Sequence, residues 1–220
     1  MIELVELSKT YALRGRRTAV ADRITATFPA RATVALLGRN GAGKSSLLRM
    51  IAGTMDPDAG EVRVTGSVSW PVGFAGSFHP ELTGRQNARF IGRVYGVDTD
   101  ELADYVADFA ELGAQFDLPV RSYSSGMRAR LAFGVSMGID FDTYLVDEIT
   151  AVGDASFRSK SDRVFQDRMT RAGAIVVSHS MDVLRRLCRH GAVLERGRLV
   201  FHDDLEAAIA HYHELARCPA

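Results

Sequence analysis

An α/β fold, a parallel sheet with crossover helices broken by an all-helical insert, is predicted by three features of this 220-residue chain. Short apolar runs at Ala32–Leu37, Tyr144–Val146 and Ala174–Val177 are strand-sized and fit strands buried on both faces. Helical spacing follows the first of them in Lys44–Ala52, with Leu47, Leu48 and Ile51 on one side. A block from about 83 to 138 reads as helices alone, inside an otherwise alternating pattern.

The elements follow in order. Residues 2–7 (Ile-Glu-Leu-Val-Glu-Leu) are rich in strand formers, and the polar stretch after them, with Tyr11 and Arg14–Arg17, reads as a loop or hairpin. Together they predict an antiparallel β region at the amino end. Gly38–Gly43 is a glycine-rich turn between strand and helix. Val62–Val64 and Val68–Trp70 are short strands on either side of Gly66, and 71–82 is rich in Gly, Phe and Pro with one charge, Glu81. Thr83-x-x-Gln86 is a capping-box pattern that opens a helix to about Tyr95. Further helices are expected near 99–112 and 125–138. Met181–Cys188 is amphipathic, Val193–Glu195 and Arg198–Phe201 make a hairpin around Gly197, and Leu205–Leu215 closes the chain as a helix. With no linker, repeat or low-complexity tract, 1–220 is expected to be a single domain.

Lys+Arg 27 balance Asp+Glu 27, so no overall field draws the chain to nucleic acid or anionic lipid, and no nucleic-acid partner is expected. The apolar runs fall far short of the roughly 18–20 residues of a membrane span. Residues 1–20 lack a basic-then-apolar secretion signal. Two cysteines, Cys188 and Cys218, make no disulfide framework. A cytosolic chain is expected. Of the 27 cations only Lys9, Lys44 and Lys160 are lysines, so arginine is the default wherever a positive charge alone is wanted.

Gly38-Arg39-Asn40-Gly41-Ala42-Gly43-Lys44-Ser45 matches the phosphate-loop pattern G-x-x-x-x-G-K-[ST] and is followed by Ser46. Glycines let successive backbone N–H groups turn inward around a phosphate, and the following helix points its positive end at it. Lys44 reaches the β/γ oxygens, and the Ser45 hydroxyl serves Mg²⁺. Lysine survives here in an arginine chain because a compact charge fits between phosphates where a planar fork does not. The bland alternative, a mere strand-to-helix turn, is disfavoured by the strand before and the helix after. Nucleotide binding is expected. Asp147 and Glu148 close the strand Tyr144-Leu-Val, where one carboxylate can hold Mg²⁺ and the next can orient or deprotonate water. His179, after Val177-Ser178, ends the next strand beside the same site. Tyr123-Ser124-Ser125-Gly126-Met127 opens a helix; it is at least an N-cap and, on the sharper reading, a second anion site.

In this order the pieces resemble an ABC-transporter ATP-binding subunit, over essentially the whole chain. The resemblance implies a RecA-like P-loop core with an inserted helical subdomain, working as a head-to-tail homodimer that sandwiches ATP and Mg²⁺. Tyr123–Met127 aligns with the family's L-S-G-G-Q signature, so Ser124, Ser125 and Gly126 would address the partner copy's ATP. Tyr11 matches the aromatic that stacks on adenine, and Asp154 in Ala-Val-Gly-Asp matches the aspartate of the S-A-L-D loop. Glu148 would be the catalytic base and His179 the switch histidine.

The departures narrow the subfamily. Ile149 stands where proline is usual, Gly153 where leucine is usual, and no glutamine occurs between 60 and 85 to contact Mg²⁺. Ser77 and His79 are candidates to replace it. With Trp70-Pro-Val-Gly-Phe-Ala-Gly-Ser-Phe-His and Leu82-Thr-Gly-Arg-Gln-Asn, these features are similar to polysaccharide-exporting subunits, and the capsule-export type fits best. The implied partners are a second copy of the chain and polytopic membrane permease subunits docking near 70–93. Periplasmic and outer-membrane export proteins would join through the permease, which places the chain peripherally at the cytoplasmic face of a bacterial inner membrane. Trp70, Phe74, Phe78 and Phe90 either line a groove for a permease helix or staple the insert to the core. Alternatives are an O-antigen or teichoic-acid exporter subunit, a soluble P-loop kinase, or a non-transport ABC ATPase.

Overall fold

The computed structural model describes residues 1–13, 16–72, 76, 78–147 and 155–217. Two sheets organise the first of two compact units. The antiparallel sheet has the order β2-β1-β4, from β1 (Ile2–Leu13), β2 (Arg16–Phe28) and β4 (Ala59–Val64). The second is 6-stranded, with the order β5-β6-β7-β3-β8-β9. Its strands are β3 (Thr33–Leu37), β5 (Val68–Pro71), β6 (Thr143–Asp147), β7 (Gly173–Val177), β8 (His190–Glu195) and β9 (Arg198–His202). All its pairings are parallel except β8 with β9.

The three apolar runs become β3, β6 and β7, and every residue of β7 is buried. Helix α1 (Lys44–Ile51) turns Leu47, Leu48 and Ile51 into one core with Leu36, Leu145 and Ile175 of the large sheet and Ile2, Leu4 and Leu7 of β1. Full burial of each such side chain contributes roughly 1.5–3 kcal/mol. Where the β5–β6 register slips, the buried Ser69 hydroxyl repairs the ladder, accepting from Leu145 N at 2.9 Å and donating to Trp70 O at 2.6 Å. Helices α6 (Met181–Leu187) and α7 (Leu205–Arg217) complete this unit.

The second unit spans Val72–Asp140 and takes in the helix that runs up to Arg171. It holds α2 (Gly84–Tyr95), α3 (Thr99–Ala110), α4 (Ser125–Gly138) and α5 (Ala155–Arg171), with 3-10 turns at Gly113–Asp117 and Val120–Ser122. The capping box is present: Thr83 Oγ1 accepts from Gln86 N at 3.1 Å and Gln86 Oε1 accepts from Thr83 N at 2.9 Å.

Two elements depart from the sequence-based expectation. Of the loop or hairpin expected after residue 7, the structure has the hairpin, but a far longer one: β1 runs on to Leu13 and β2 adds a 13-residue strand. Irregularities between Leu4/Leu7, Leu7/Lys9 and Lys9/Thr10 break the period-two alternation, so Val20, Ala21, Ile24 and Phe28 are buried without reading as a strand. Helix α5 was not expected either. Its buried face is Phe157, Ser161 and Phe165, a stripe at i, i+4 and i+8 whose middle member is a serine.

Candidate functional site

Parallel strands β6, β7 and β3 lie side by side, and Asp147 pairs with Val177 while Ala35 pairs with Val176. The carboxyl ends of all three therefore reach one edge, bringing together Gly38 after β3, Asp147 at the end of β6 and Ser178-His179 after β7. Outside the carboxyl ends of its strands is where an open α/β sheet takes a ligand. The sequence motifs at three separate positions become one place through strand pairing alone.

The loop Gly38–Ser45 joins β3 to α1. Ala42 N donates to Arg39 O at 3.0 Å, which tightens the turn through Asn40 and Gly41. Gly43 is the N-cap, held at φ 105°, and a Cβ there would lie 2.6 Å from Val20 Cβ. Only glycine tolerates both the backbone sign and the approach of β2. Gly43 brings no side-chain oxygen to the first turn of α1, and that turn has no acidic residue, which leaves the helix's positive end to an anion. Lys44 Nζ donates to Gly38 O at 2.7 Å and Arg39 O at 3.1 Å, so the ammonium is folded back over the loop it must serve. Ser45 is exposed, Ser46 and Asp147 half-buried.

Tyr11 belongs to the same neighbourhood. Its hydroxyl lies 3.1 Å from Ser46 Oγ and donates to Met55 Sδ at 3.2 Å, and the residue is 41% exposed. Asp58 steadies this end of β1: its carboxylate accepts from Thr10 N at 2.7 Å and from Lys9 Nζ at 2.8 Å, and the Lys9 and Thr10 bonds lower its pKa. Each of the three lysines grips at least one main-chain oxygen. Lys9 holds Asp56 O, Lys44 the loop carbonyls, and Lys160 the carbonyls of Asp108 and Phe109. A compact ammonium suits converging oxygens. His179 is exposed just beyond β7, and Ser180 caps α6, accepting from Val183 N.

In the helical unit, Ser124 is the N-cap of α4, with Oγ accepting from Met127 N at 3.2 Å. Tyr123 is buried, and its hydroxyl donates to Gln115 O at 2.8 Å. Burial raises the Tyr123 pKa. The signature-like segment is thus anchored by Tyr123 and presents Ser124, Ser125 and Gly126 outward. A Cβ on Gly126 would meet nothing nearer than Ser124 Oγ at 3.9 Å. Glu148 and Asp154 lie outside the described residues, as do Phe74, Ser77, Ile149, Gly153 and Cys218.

Two residues of the Leu82–Asn87 run support these segments in ways that sequence reasoning did not give. Asn87, 1% exposed, donates through Nδ2 to the carbonyls of His79, Leu82 and Thr83 and accepts from His79 N at 2.8 Å, which fixes the turn into α2. His79 also accepts through Nδ1 from Glu81 N at 3.3 Å, so both its backbone and its ring are engaged locally. A Cβ on Gly84 would sit 2.5 Å from Tyr123 Oη and 2.7 Å from the Phe116 ring, so the start of α2 needs glycine to seat the signature anchor. A polar residue on the buried face of a predicted helix was the available signal for the role of Asn87; for Gly84 the quoted run marked the residue but nothing local gave its reason.

Among known proteins, the family model described as ABC transporter matches residues 21–151. The polysialic acid transport ATP-binding protein KpsT of Escherichia coli is 44% identical over 215 residues, covering 96% of this chain and 98% of that protein. The capsule polysaccharide export ATP-binding protein CtrD of Neisseria meningitidis serogroup B is 43% identical over 217 residues, covering 98% and 100%. An O-antigen export system ATP-binding protein, RfbB of Klebsiella pneumoniae, is 38% identical over 206 residues, covering 92% and 84%. In fold, the chain resembles the dimeric ATP-binding cassette MJ0796 bound to ADP and Pi, with TM-score 0.76 and 20% identity over 93% of this chain and 99% of that one.

Proposed function

The chain belongs to the ABC transporter family of ATP-binding proteins, and from that premise we propose that it hydrolyses ATP to drive export of capsular polysaccharide. The observation that carries the capsule reading is the end-to-end match, above 40% identity, to ATPases named for polysialic acid and capsule transport. The O-antigen relative matches at lower identity and over less of its length.

The residues divide the work. Backbone N–H groups of Gly41–Ser45 receive the β-phosphate, and Lys44 exchanges its bonds to Gly38 O and Arg39 O for β/γ oxygens. Tyr11, beside Ser46, offers its ring to adenine. Ser45 and Asp147, at the same strand edge, would hold Mg²⁺ through their oxygens, and the ion would supply charge neutralisation to the phosphates. Glu148 follows Asp147 as the general base toward water, and His179 contacts the γ-phosphate from the end of β7.

Ser124, Ser125 and Gly126 act on the ATP of a second copy in a head-to-tail homodimer, with Asp154 contributing at the same interface. Gly126 supports this reading, because among the described residues nothing crowds its Cβ position closer than Ser124 Oγ at 3.9 Å. The helical block 83–138 is the inserted subdomain of the 1–220 cassette. Among the described residues no helix is long and apolar enough to cross a membrane, so attachment to the cytoplasmic face of the inner membrane runs through permease subunits. Trp70 is 8% exposed and packs edge-on against Phe141 at 5.5 Å within the first unit, so its ring is core rather than groove wall. On α2, Phe90 is 55% exposed and Val94, one turn on, is 63% exposed, so permease docking near 70–93 centres on that face. Periplasmic and outer-membrane export proteins connect through the permease.

Replacing the chromosomal copy by Lys44→Ala tests the reading. Cells should lose surface capsular polysaccharide and accumulate it inside while still making the permease. Normal capsule in that strain, or loss of O-antigen in place of capsule, overturns the assignment.

A further inference from the structure

Arg130 stands in the second turn of α4, the helix that the signature-like segment opens, with its Cζ 4.4 Å above the centre of the Phe157 ring. Phe157 is the third residue of α5, the helix that begins one residue past Asp154 in the sequence, and it is 1% exposed. Lys160, one turn farther along α5, places Nζ 5.0 Å from the centre of the Phe109 ring and donates to Phe109 O at 3.0 Å and Asp108 O at 3.3 Å. These carbonyls end α3, where a cation also meets the negative end of the helix dipole. Glu111 lies between the two cations, 2.6 Å from Lys160 Nζ and 4.0 Å from Arg130 Nη1. Phe109 closes the cluster, edge-on to Phe157 at 5.3 Å and stacked on Phe133 of α4 at 5.7 Å.

We propose that Arg130, Phe157, Lys160 and Glu111 form a clasp whose task is to position the signature turn, locking the first turns of α4 to the start of α5. This rests on the head-to-tail reading, since only a segment that must meet a second copy in a set orientation needs such a lock. An aliphatic pair would fill the same space. A guanidinium over a ring is directional, and it gains strength as water is excluded; the Arg130 side chain is only 19% exposed. A largely covered charge used in place of plain packing fits a demand for one orientation rather than for stability. Arg130 touches neither nucleotide nor water in this account. It is a positioning residue, and so is Phe157.

The test uses the full chain assembled with its permease. Phe157→Leu keeps apolar volume and removes the ring's quadrupole. It should lower kcat for ATP hydrolysis about tenfold, the scale of a desolvated cation–π contact. The KM for ATP and the affinity of the isolated subunit for a fluorescent ATP analogue should stay within about twofold, since the phosphate loop is untouched. Phe157→Tyr, which keeps the ring, should restore kcat. Arg130→Met, with its stem still packed, should lose kcat to the same degree, and the double variant should be no worse than either single, as for partners in one interaction. The Met variant carries the test if Phe157→Leu does not fold. Unchanged kcat in folded variants, or additive losses in the double, overturns the clasp. A wild-type assembly that hydrolyses no ATP would instead overturn the ATPase reading on which it stands.

Discussion

The phosphate loop and the signature-like turn are both glycine-bearing entries to a helix, yet their glycines answer to different masters. Gly43 is forced by its own chain: a φ of 105° and a Cβ position 2.6 Å from Val20 Cβ admit no other residue. Gly126 has ordinary helical backbone and open space around its Cβ position. The caps differ as well. Gly43 leaves the first turn of α1 without a side-chain acceptor, whereas Ser124 spends its hydroxyl on Met127 N. On the proposed reading, one turn is therefore an anion cradle complete within the chain. The other is a finished helix start whose glycine no neighbour among the described residues requires, as the proposed action on a second copy would have it.

The largest expected effect breaks the cradle. Lys44→Ala should reduce ATP hydrolysis by about a thousandfold or more, because the remaining backbone amides cannot offset the charge that develops on the γ-phosphate. Steady-state phosphate release from the purified transporter measures it, and turnover within tenfold of wild type would dissolve the contrast between the two turns.

The next effect sharpens the contrast with one substitution made twice. Gly43→Ala should destabilise the chain by about 1–3 kcal/mol through backbone strain and the clash with Val20. Gly126→Ala should leave stability unchanged or raise it by up to about 0.5 kcal/mol, since alanine suits a helix better. In thermal melts of the two nucleotide-free variants, Gly43→Ala should fall while Gly126→Ala holds or rises. Equal losses would mean that Gly126 is held by its own chain after all.

How far each turn was legible follows from the same physics. The phosphate loop was readable because its requirement is local: glycines, lysine and hydroxyl are contiguous, between a buried strand and an amphipathic helix. The Thr83–Gln86 capping box was readable for the same reason, and both its hydrogen bonds form. Convergence of Gly38, Asp147 and His179 needed the strand order, which residue types imply only through the parallel-sheet pattern. Strand β2 was hidden by ladder irregularities, and α5 by Ser161 in the middle of its buried stripe. Gly84 was illegible because its reason, the Tyr123 hydroxyl, lies 39 positions along the chain (84 to 123).

A smaller effect probes the neighbourhood of the cradle. Asp58 holds Thr10 N and Lys9 Nζ next to Tyr11, and these bonds keep its pKa below that of an unfolded carboxyl. The sign follows from linkage. Its contribution is present above the unfolded value of about 4 and fades as pH falls through the lower folded value. The carboxylate is exposed and solvent-screened, so the contribution is small. Asp58→Asn should weaken ATP affinity a few-fold through Tyr11 and flatten the acid limb of the stability curve below about pH 4. Titrating ATP binding and following melts with pH check both, and an unaltered acid limb would separate Asp58 from the site.

The central claim is that the chain holds a whole phosphate cradle and half of a second site that only another copy completes. It is tested most directly by the size of Glu148→Gln in solution. The amide keeps the shape of the carboxylate while removing the base, so ATP stays bound and each ATP at a shared interface stabilises the dimer by mass action. With saturating ATP and Mg²⁺ the variant should sediment as a dimer, and without nucleotide as a monomer. Adding Ser124→Arg in the same chain should return it to monomer while each subunit still binds ATP. A Glu148→Gln chain that stays monomeric at saturating ATP, or one that dimerises equally well with Ser124→Arg, would contradict the account.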